Sequence, residues 1–354
     1  MTINDKLPPT NTTLNSSYTT AKTLTDAACG HCPNATHSTG QLHRGQKAML
    51  LRLCLLIITL ACSLTALSHA DIWQDVEHGY ADNDGVKIHY ATIGEGPLVV
   101  MIHGFPDFWY TWREQMTALK DDFKVVAMDQ RGYNLSGQPE GEENYNMSFL
   151  TADVAAVIKH FGKEKAIVVG HDWGGVVSWN FAINKPEMVD KLVILNLPHP
   201  NGVARELANN PEQQQNSAYA RAFQAGKASD PNIWLNGPMT PQRLAIWVRD
   251  QEAKSRYIEA FQQSDFDAML AFYKQNYGSA SRNPDQVLPK VKMPVLMFHG
   301  LNDRALHSDG LNGTWNWLEK DLTLVTIPGA SHFVQQDASE LISTTMKWWL
   351  LSRP

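Results

Sequence analysis

Apolar and polar positions follow two different rhythms along this chain. From about residue 80 to 199, and again after 290, short apolar runs end at a polar or glycine-rich turn and give way to helical spacing. Val86-Lys87-Ile88-His89-Tyr90 alternates like an antiparallel edge strand, whereas Pro97–Ile102 is continuously apolar up to His103-Gly104, the mark of a buried strand. Lys124–Met128, Ala166–Val169, Leu192–Leu195, Pro294–Phe298 and Leu322–Ile327 repeat that buried pattern. Residues 148–161 carry helical spacing behind Asn146 or Ser148 as a cap, and a closing helix is expected over Ala338–Leu350. Strands alternating with helices predict an α/β fold, a mostly parallel sheet with helices on both faces.

Residues 200–290 break the rhythm. Stretches 211–226, 241–249, 254–263 and 265–277 read as helices, with no convincing strand between them. A helical insert after the sixth strand of a parallel sheet sits as a lid over the strand carboxyl ends, where such sheets bind ligands. The expected organisation is therefore a core in two parts, 71–199 and 291–354, around a lid at 200–290.

The N-terminal residues are different material. Residues 1–48 are rich in Thr, Asn and Ser and lack apolar periodicity, as in a disordered segment or an upstream sequence included by a wrong start. Residues 49–70 form an apolar run behind Arg44 and Lys47 that ends in Ser68-His69-Ala70, the layout of a secretory signal. Cleavage would leave Asp71 as the first residue of a periplasmic or secreted protein. The rival reading is an uncleaved membrane anchor. All four cysteines precede Asp71, so the exported chain would have none. Cys29-Gly30-His31-Cys32 has redox spacing, but it lies among Thr, Asn and Pro without the strand and helix that redox function requires.

Net charge is −6, and without the leader 25 basic residues face 34 acidic ones, a net of −9. With no basic run in the body, nucleic acid is an improbable partner. The chain has neither H-E-x-x-H spacing nor a G-x-G-x-x-G or P-loop string, so no metal and no cofactor is expected.

The chemistry concentrates at Gly170-His171-Asp172-Trp173-Gly174. An apolar strand, a sharp turn flanked by glycines and a following helix make a nucleophile elbow, with Asp in place of the usual Ser. A carboxylate is suited to displacement at saturated carbon, leaving an alkyl ester that water can cleave. The bland alternative, Asp172 as a loop carboxylate or helix cap, does not explain the flanking glycines. An acid and then a histidine should follow in chain order. Asp303 lies in Gly300–Arg304 and His332 in Pro328–Phe333, each just past a strand. Asp303 could instead simply bond turn amides, and His299 and His307 compete with His332. The amides of Phe105 and Trp173 are placed to make an oxyanion hole, with His103 holding the loop.

Taken together, His103-Gly104-Phe105-Pro106, Trp109-Tyr110-Thr111-Trp112-Arg113, Asp129-Gln130-Arg131-Gly132-Tyr133 and Gly170-His171-Asp172-Trp173-Gly174-Gly175 resemble the epoxide hydrolases of the α/β-hydrolase fold, over roughly residues 80–352. The resemblance implies attack of Asp172 on an epoxide carbon, water activated by His332 and oriented by Asp303, and a vicinal diol as product. It also implies two lid tyrosines that protonate the ring oxygen. Tyr273 matches the lid motif, although Ala271-Phe272-Tyr273-Lys274 departs from the usual Asn-Trp-Tyr-Arg. Tyr219 is the choice for the other, with Tyr257 and Tyr277 as rivals. Phe105, Trp109, Trp173 and His199 are expected to line the substrate pocket. The implied partners are a small epoxide and water.

Two other functions fit the same residues. A haloalkane dehalogenase shares the aspartate, the histidine and the tryptophan after the nucleophile. Phe105 cannot donate a side-chain hydrogen bond to a halide, which leaves Trp234 or Trp247 for that task. A dehalogenase of the fluoroacetate type would want Arg where Trp173 stands. A non-catalytic binding protein on the same fold is the other alternative.

Overall fold

Eight strands form one sheet. They are β1 (Glu77–Asn83), β2 (Val86–Ile93), β3 (Leu98–Ile102), β4 (Lys124–Met128), β5 (Ala166–His171), β6 (Val189–Leu195), β7 (Val295–Gly300) and β8 (Leu322–Ile327), in the order β1-β2-β4-β3-β5-β6-β7-β8. The six strands β3 to β8 run parallel, β2 pairs antiparallel with β4, and β1 pairs antiparallel with β2. Every residue of β3, β5 and β7 is buried, which is why each reads as an unbroken apolar run. The computed structural model describes residues 72–278 and 288–353; the expected leader at 1–48 and 49–70, with Cys29 and Cys32, lies outside the described residues. Among the described residues no helix is long and apolar enough to cross a membrane.

The antiparallel end corrects one expectation. Val86–Tyr90 is not an edge: β2 pairs with β1 on one side and β4 on the other. β1 is the edge, joined to β2 through the two-residue turn Asp84-Gly85, both at positive φ (51° and 89°). Those angles suit the primed turn that matches strand twist, and Asp-Gly is a pair that adopts it readily.

Helix Met147–His160 is capped by Asn146, whose side chain accepts from the Ser148 amide, and the closing helix runs over Ser339–Leu351. Between β6 and Gly278 the described chain is helical, without a strand. Its helices are Pro200–Asn209, Pro211–Asn216, Ala218–Ala225, Pro241–Leu244, Gln251–Gln262 and Phe266–Asn276. The continuous helix expected over 211–226 is broken at Ser217, and the one over 241–249 stops at Leu244 before a 3-10 turn, Ala245–Trp247. The helix Pro200–Asn209 was not expected. Pro200, Pro211 and Pro241 each open a helix behind a capping side chain, His199, Asn210 and Thr240 respectively. Proline is tolerated there because the first turn has no intrahelical acceptor for its missing N–H.

Candidate active site

Asp172 stands one residue past β5, between the strand and the helix Trp173–Asn184. Its backbone is at φ 50° and ψ −119°, a conformation that a non-glycine residue holds only when its surroundings impose it. Two glycines supply the room. A Cβ on Gly174 would sit 2.0 Å from the Ile102 carbonyl, and one on Gly104 would sit 2.5 Å from the Asp172 Cβ. The elbow and the Gly104 loop therefore approach each other as closely as backbone allows.

The approach aims a donor at the carboxylate. The Phe105 amide donates to Asp172 Oδ1 at 2.8 Å. Trp173 is the first residue of the helix, where a backbone N–H has no intrahelical acceptor. Of the two amides expected in an oxyanion hole, that of Phe105 is bonded to Asp172 Oδ1 and that of Trp173 opens the helix next to Asp172. His103 braces the loop: its Nδ1 donates to the Gly104 carbonyl at 2.8 Å, and its Nε2 accepts from the Gln130 amide at 3.1 Å.

The other oxygen faces a histidine. His332 Nε2 is 3.4 Å from Asp172 Oδ2, and His332 Nδ1 donates to Asp303 Oδ2 at 2.9 Å. Asp303 is itself fixed. Its Oδ1 accepts from the Ala305 and Leu306 amides at 2.7 and 3.1 Å, and its Oδ2 accepts from Asn196 Nδ2 at 2.7 Å. The structure therefore brings Asp172, His332 and Asp303 together at the carboxyl edge of the sheet, and in Asp303 a turn-bonding role and a histidine-orienting role coexist.

The charges are mutually dependent. Burial opposes ionisation of Asp172, but hydrogen bonding and charge from His332 outweigh it and hold its carboxyl below the usual value. Asp303 is likewise held well below the carboxylate range by His332, against the cost of burial. Burial alone would lower His332, yet the charge of Asp303 and the bond to Asp172 raise it well above an ordinary imidazole.

Two residues of this network were given no role by the sequence reading. Asn196 has φ 45° just beyond β6; it joins Asp303 to the Ser331 carbonyl (3.2 Å) and accepts from the Gly300 amide (3.3 Å). It is the first polar residue after an apolar run, which is the one sign that could have flagged it. His171 Nε2 donates to the His332 carbonyl at 2.8 Å, and burial, together with the nearby His332, lowers it to about 4. It is thus a neutral donor that pins the His332 loop.

Tyr219 and Tyr273 reach the same place from the helical insert. With Asp172 they line two cavities, of about 1090 and 650 Å³, that meet at Asp172. Burial foremost, and then neighbouring groups that include Asp172, raises both phenols well above 10, so both hold their protons. Phe105 lines the larger cavity and Trp173 the smaller. The rivals are placed otherwise. The Tyr257 hydroxyl donates to Asp107 Oδ1 at 2.7 Å, away from both cavities, and Tyr277 lines only the smaller one. His299 is a core residue donating to the Leu306 carbonyl at 3.2 Å, and His307 lies beside Glu212 and Asp309.

Two expected pocket residues lie elsewhere. Trp109 is 1% exposed and stacks on Trp73 with ring centroids 5.2 Å apart, while its amide donates to Asp129 Oδ1 at 2.8 Å. It belongs to a buried 3-10 turn and lines neither cavity. His199 spends Nδ1 on capping Asn201 (3.2 Å) and stacks its ring on Trp317 at 4.7 Å. Trp234 lines the larger cavity, but its indole N–H donates to the Arg243 carbonyl at 3.1 Å.

Comparison with known proteins agrees with this fold. Residues 97–339 match the family model of the α/β hydrolase fold. The chain is 35% identical over 286 residues to Epoxide hydrolase 1 of Caenorhabditis elegans, covering 75% of this chain and 68% of that one. It is 31% identical to human Epoxide hydrolase 4, covering 74% and 75%. The crystal structure of a Bacillus megaterium epoxide hydrolase in complex with an inhibitor superposes with a TM-score of 0.71 at 29% identity, over 77% of this chain and all of that one. Fold and similarity converge: the chain belongs to the epoxide hydrolases of the α/β-hydrolase fold.

Proposed function

We propose that this protein opens an epoxide to a vicinal diol through a covalent ester on Asp172. The observation that carries the proposal is the meeting of an ionised, buried carboxylate with two protonated phenols in one cavity. Asp172 Oδ2 attacks a ring carbon and the carbon–oxygen bond breaks. The ring oxygen takes a proton from Tyr219 or Tyr273, groups whose proton is held at neutral pH. Oδ1 becomes the ester carbonyl oxygen, already beside the Phe105 amide.

Ester formation removes the Asp172 charge, and with it one of the two carboxylates that keep His332 protonated. The imidazolium can then return a proton to the tyrosinate and act as the base that activates water. Water attacks the ester carbonyl, the amides of Phe105 and Trp173 hold the tetrahedral oxyanion, and collapse releases the diol and restores Asp172. Asp303 keeps Nδ1 protonated so that Nε2 faces the reaction. A solved relative, the Bacillus megaterium epoxide hydrolase, holds a naphthyloxy-propanediol described as its product.

His332→Gln tests the reading. Incubation with styrene oxide should leave an adduct of the substrate's mass on Asp172, and activity lost without any adduct would overturn it. The dehalogenase reading is checked in parallel with a bromoalkane; halide release without diol formation would replace the epoxide by a halide as the substrate. Export through residues 49–70 belongs to the same proposal, and an N-terminus at Asp71 on protein recovered outside the cytoplasm is the expected result.

A further inference from the structure

Asp172 and the His332–Asp303 pair are held by different parts of the molecule. The turn that carries Asp172 is built from the sheet and its neighbours. The Asp172 amide donates to the Leu195 carbonyl at 3.3 Å, the Val176 amide donates to the Asp172 carbonyl at 2.9 Å, and the Phe105 amide donates to the carboxylate. The turns that carry Asp303 and His332 are also touched by the helical insert, at one point each.

The first contact is Gln213, in the helix Pro211–Asn216 and 2% exposed. Its Nε2 donates to the Ala305 carbonyl at 2.8 Å and to Ser217 Oγ at 2.9 Å, and its Oε1 accepts from the His307 amide at 2.7 Å. Asp303 Oδ1 takes the Ala305 and Leu306 amides of the same turn. Residues 303–307 thus close on the Asp303 carboxylate from within and on Gln213 from the insert. Without that buried amide, a carbonyl and an N–H of the turn would lose their partners.

The second contact is Trp247. Its ring lies flat on Phe333, with centroids 3.6 Å apart and planes 2° apart. Phe333 directly follows His332 and stands edge-on to the imidazole at 5.3 Å. The core holds the backbone here, through the His171 bond to the His332 carbonyl, but the Phe333 ring bears on the imidazole itself. Ring quadrupoles favour offset or edge-on pairs over full overlap. The overlap is therefore imposed by the insert, whose turn Ala245–Trp247 is backed by Tyr257, edge-on to Trp247 at 5.2 Å. The indole N–H of Trp247 makes no hydrogen bond among the described residues, so ring contact is what fixes this side chain.

We infer that Gln213 and Trp247 are positioning residues, through which the insert holds Asp303 and His332 in place for the attack of water on the ester. The inference rests on the epoxide hydrolase reading. Asp172 does not depend on the insert for its own placement, so ester formation and ester hydrolysis respond differently when these contacts are lost. Tyr273, which serves the ring opening, stands on the helix Phe266–Asn276, with which neither residue shares a hydrogen bond or ring contact.

The test follows both half-reactions in the full chain, with styrene oxide, rapid quenching and intact-mass detection of the ester. The ratio of the two rate constants within one preparation is insensitive to how much of a variant is folded. Trp247→Leu removes the flat ring, and Gln213→Leu keeps the volume of the side chain without its hydrogen bonds. A displacement of about 1 Å can cost about 10²-fold, so each should slow ester hydrolysis by about 10- to 100-fold, leave ester formation within about threefold, and let the ester accumulate. Trp247→Phe keeps a ring over Phe333 and loses only the indole N–H, so it should restore most of the hydrolysis rate. Unchanged hydrolysis in either Leu variant, or an equal fall in both half-reactions, overturns the positioning role of that residue. A Trp247→Phe variant as slow as Trp247→Leu also overturns the stacking argument. If the wild-type protein forms no diol and His332→Gln traps no ester, the epoxide hydrolase reading fails and this inference with it.

Discussion

Asp303→Asn separates the two halves of the proposed reaction, because the carboxylate's four hydrogen bonds come from opposite sides. Two backbone amides donate to Oδ1, and Asn196 and His332 donate to Oδ2. An asparagine has one acceptor side and one donor side, so either orientation loses two of the four bonds and sets N–H against N–H. Asn196 cannot relieve the conflict by rotating, since its Oδ1 accepts from Gly300 and its Nδ2 also donates to the Ser331 carbonyl. Lost buried hydrogen bonds of this kind cost about 1–3 kcal/mol each, which should show as a lower Tm. The chemical effect is larger. With the amide oxygen on the backbone side, the amide N–H₂ faces Nδ1, and His332 relieves the clash by moving its proton to Nε2. That tautomer cannot take a proton from water. A tautomer error in a hydrolytic triad costs about 10⁴-fold, so ester hydrolysis should fall by roughly 10³–10⁴ while ester formation continues. Rapid quenching with intact-mass detection should show about one substrate adduct per enzyme, followed by slow turnover. Steady-state turnover within about tenfold of wild type, with no accumulated ester, would refute the assignment of Asp303 as the group that sets the His332 tautomer.

Three further changes probe separate parts of the site. Tyr273→Phe should reduce epoxide turnover by about 10²-fold or more, the usual worth of a general acid, while sparing hydrolysis of an activated ester; an equal loss on both substrates would make Tyr273 a packing residue. Gly104→Ala inserts a methyl 2.6 Å from Asp172 Oδ1, so it should displace the Asp172 carboxylate and lower kcat by about 10²-fold; unchanged kcat would mean that the loop yields freely. Asp107 is buried, and burial outweighs its hydrogen bonds to raise its carboxyl from 3.8 to about 7. The folded state then binds the extra proton, so stability is highest below the unfolded value and declines as pH rises toward 7. Asp107→Asn should remove that decline, with Tm above wild type at pH 8 and close to it at pH 4; parallel curves for the two proteins would contradict the burial argument.

The meeting of Asp172, Asp303 and His332 was legible because each sits where local chain chemistry declares it. Asp172, Asp303 and His332 all lie within a few residues of the carboxyl end of a strand, and β5 and β7 are so fully buried that their apolar runs end visibly at those turns. Parts of the frame were not legible for a physical reason. In β1 one residue, Ala81, is buried, so the strand carries no apolar pattern and is specified by its pairing and the Asp84-Gly85 turn. In β2 the buried positions include His89, whose Nδ1 is 2.6 Å from Asp129, so a polar letter stands at a core position and imitates an edge. Cavity walls were read least well. Trp109 and His199 occupy promising positions in the chain, but one is spent on a ring stack and the other on a helix cap, and neither choice is encoded within a few residues. A turn fixes where a side chain starts, whereas lining a cavity depends on which partners from distant segments claim it.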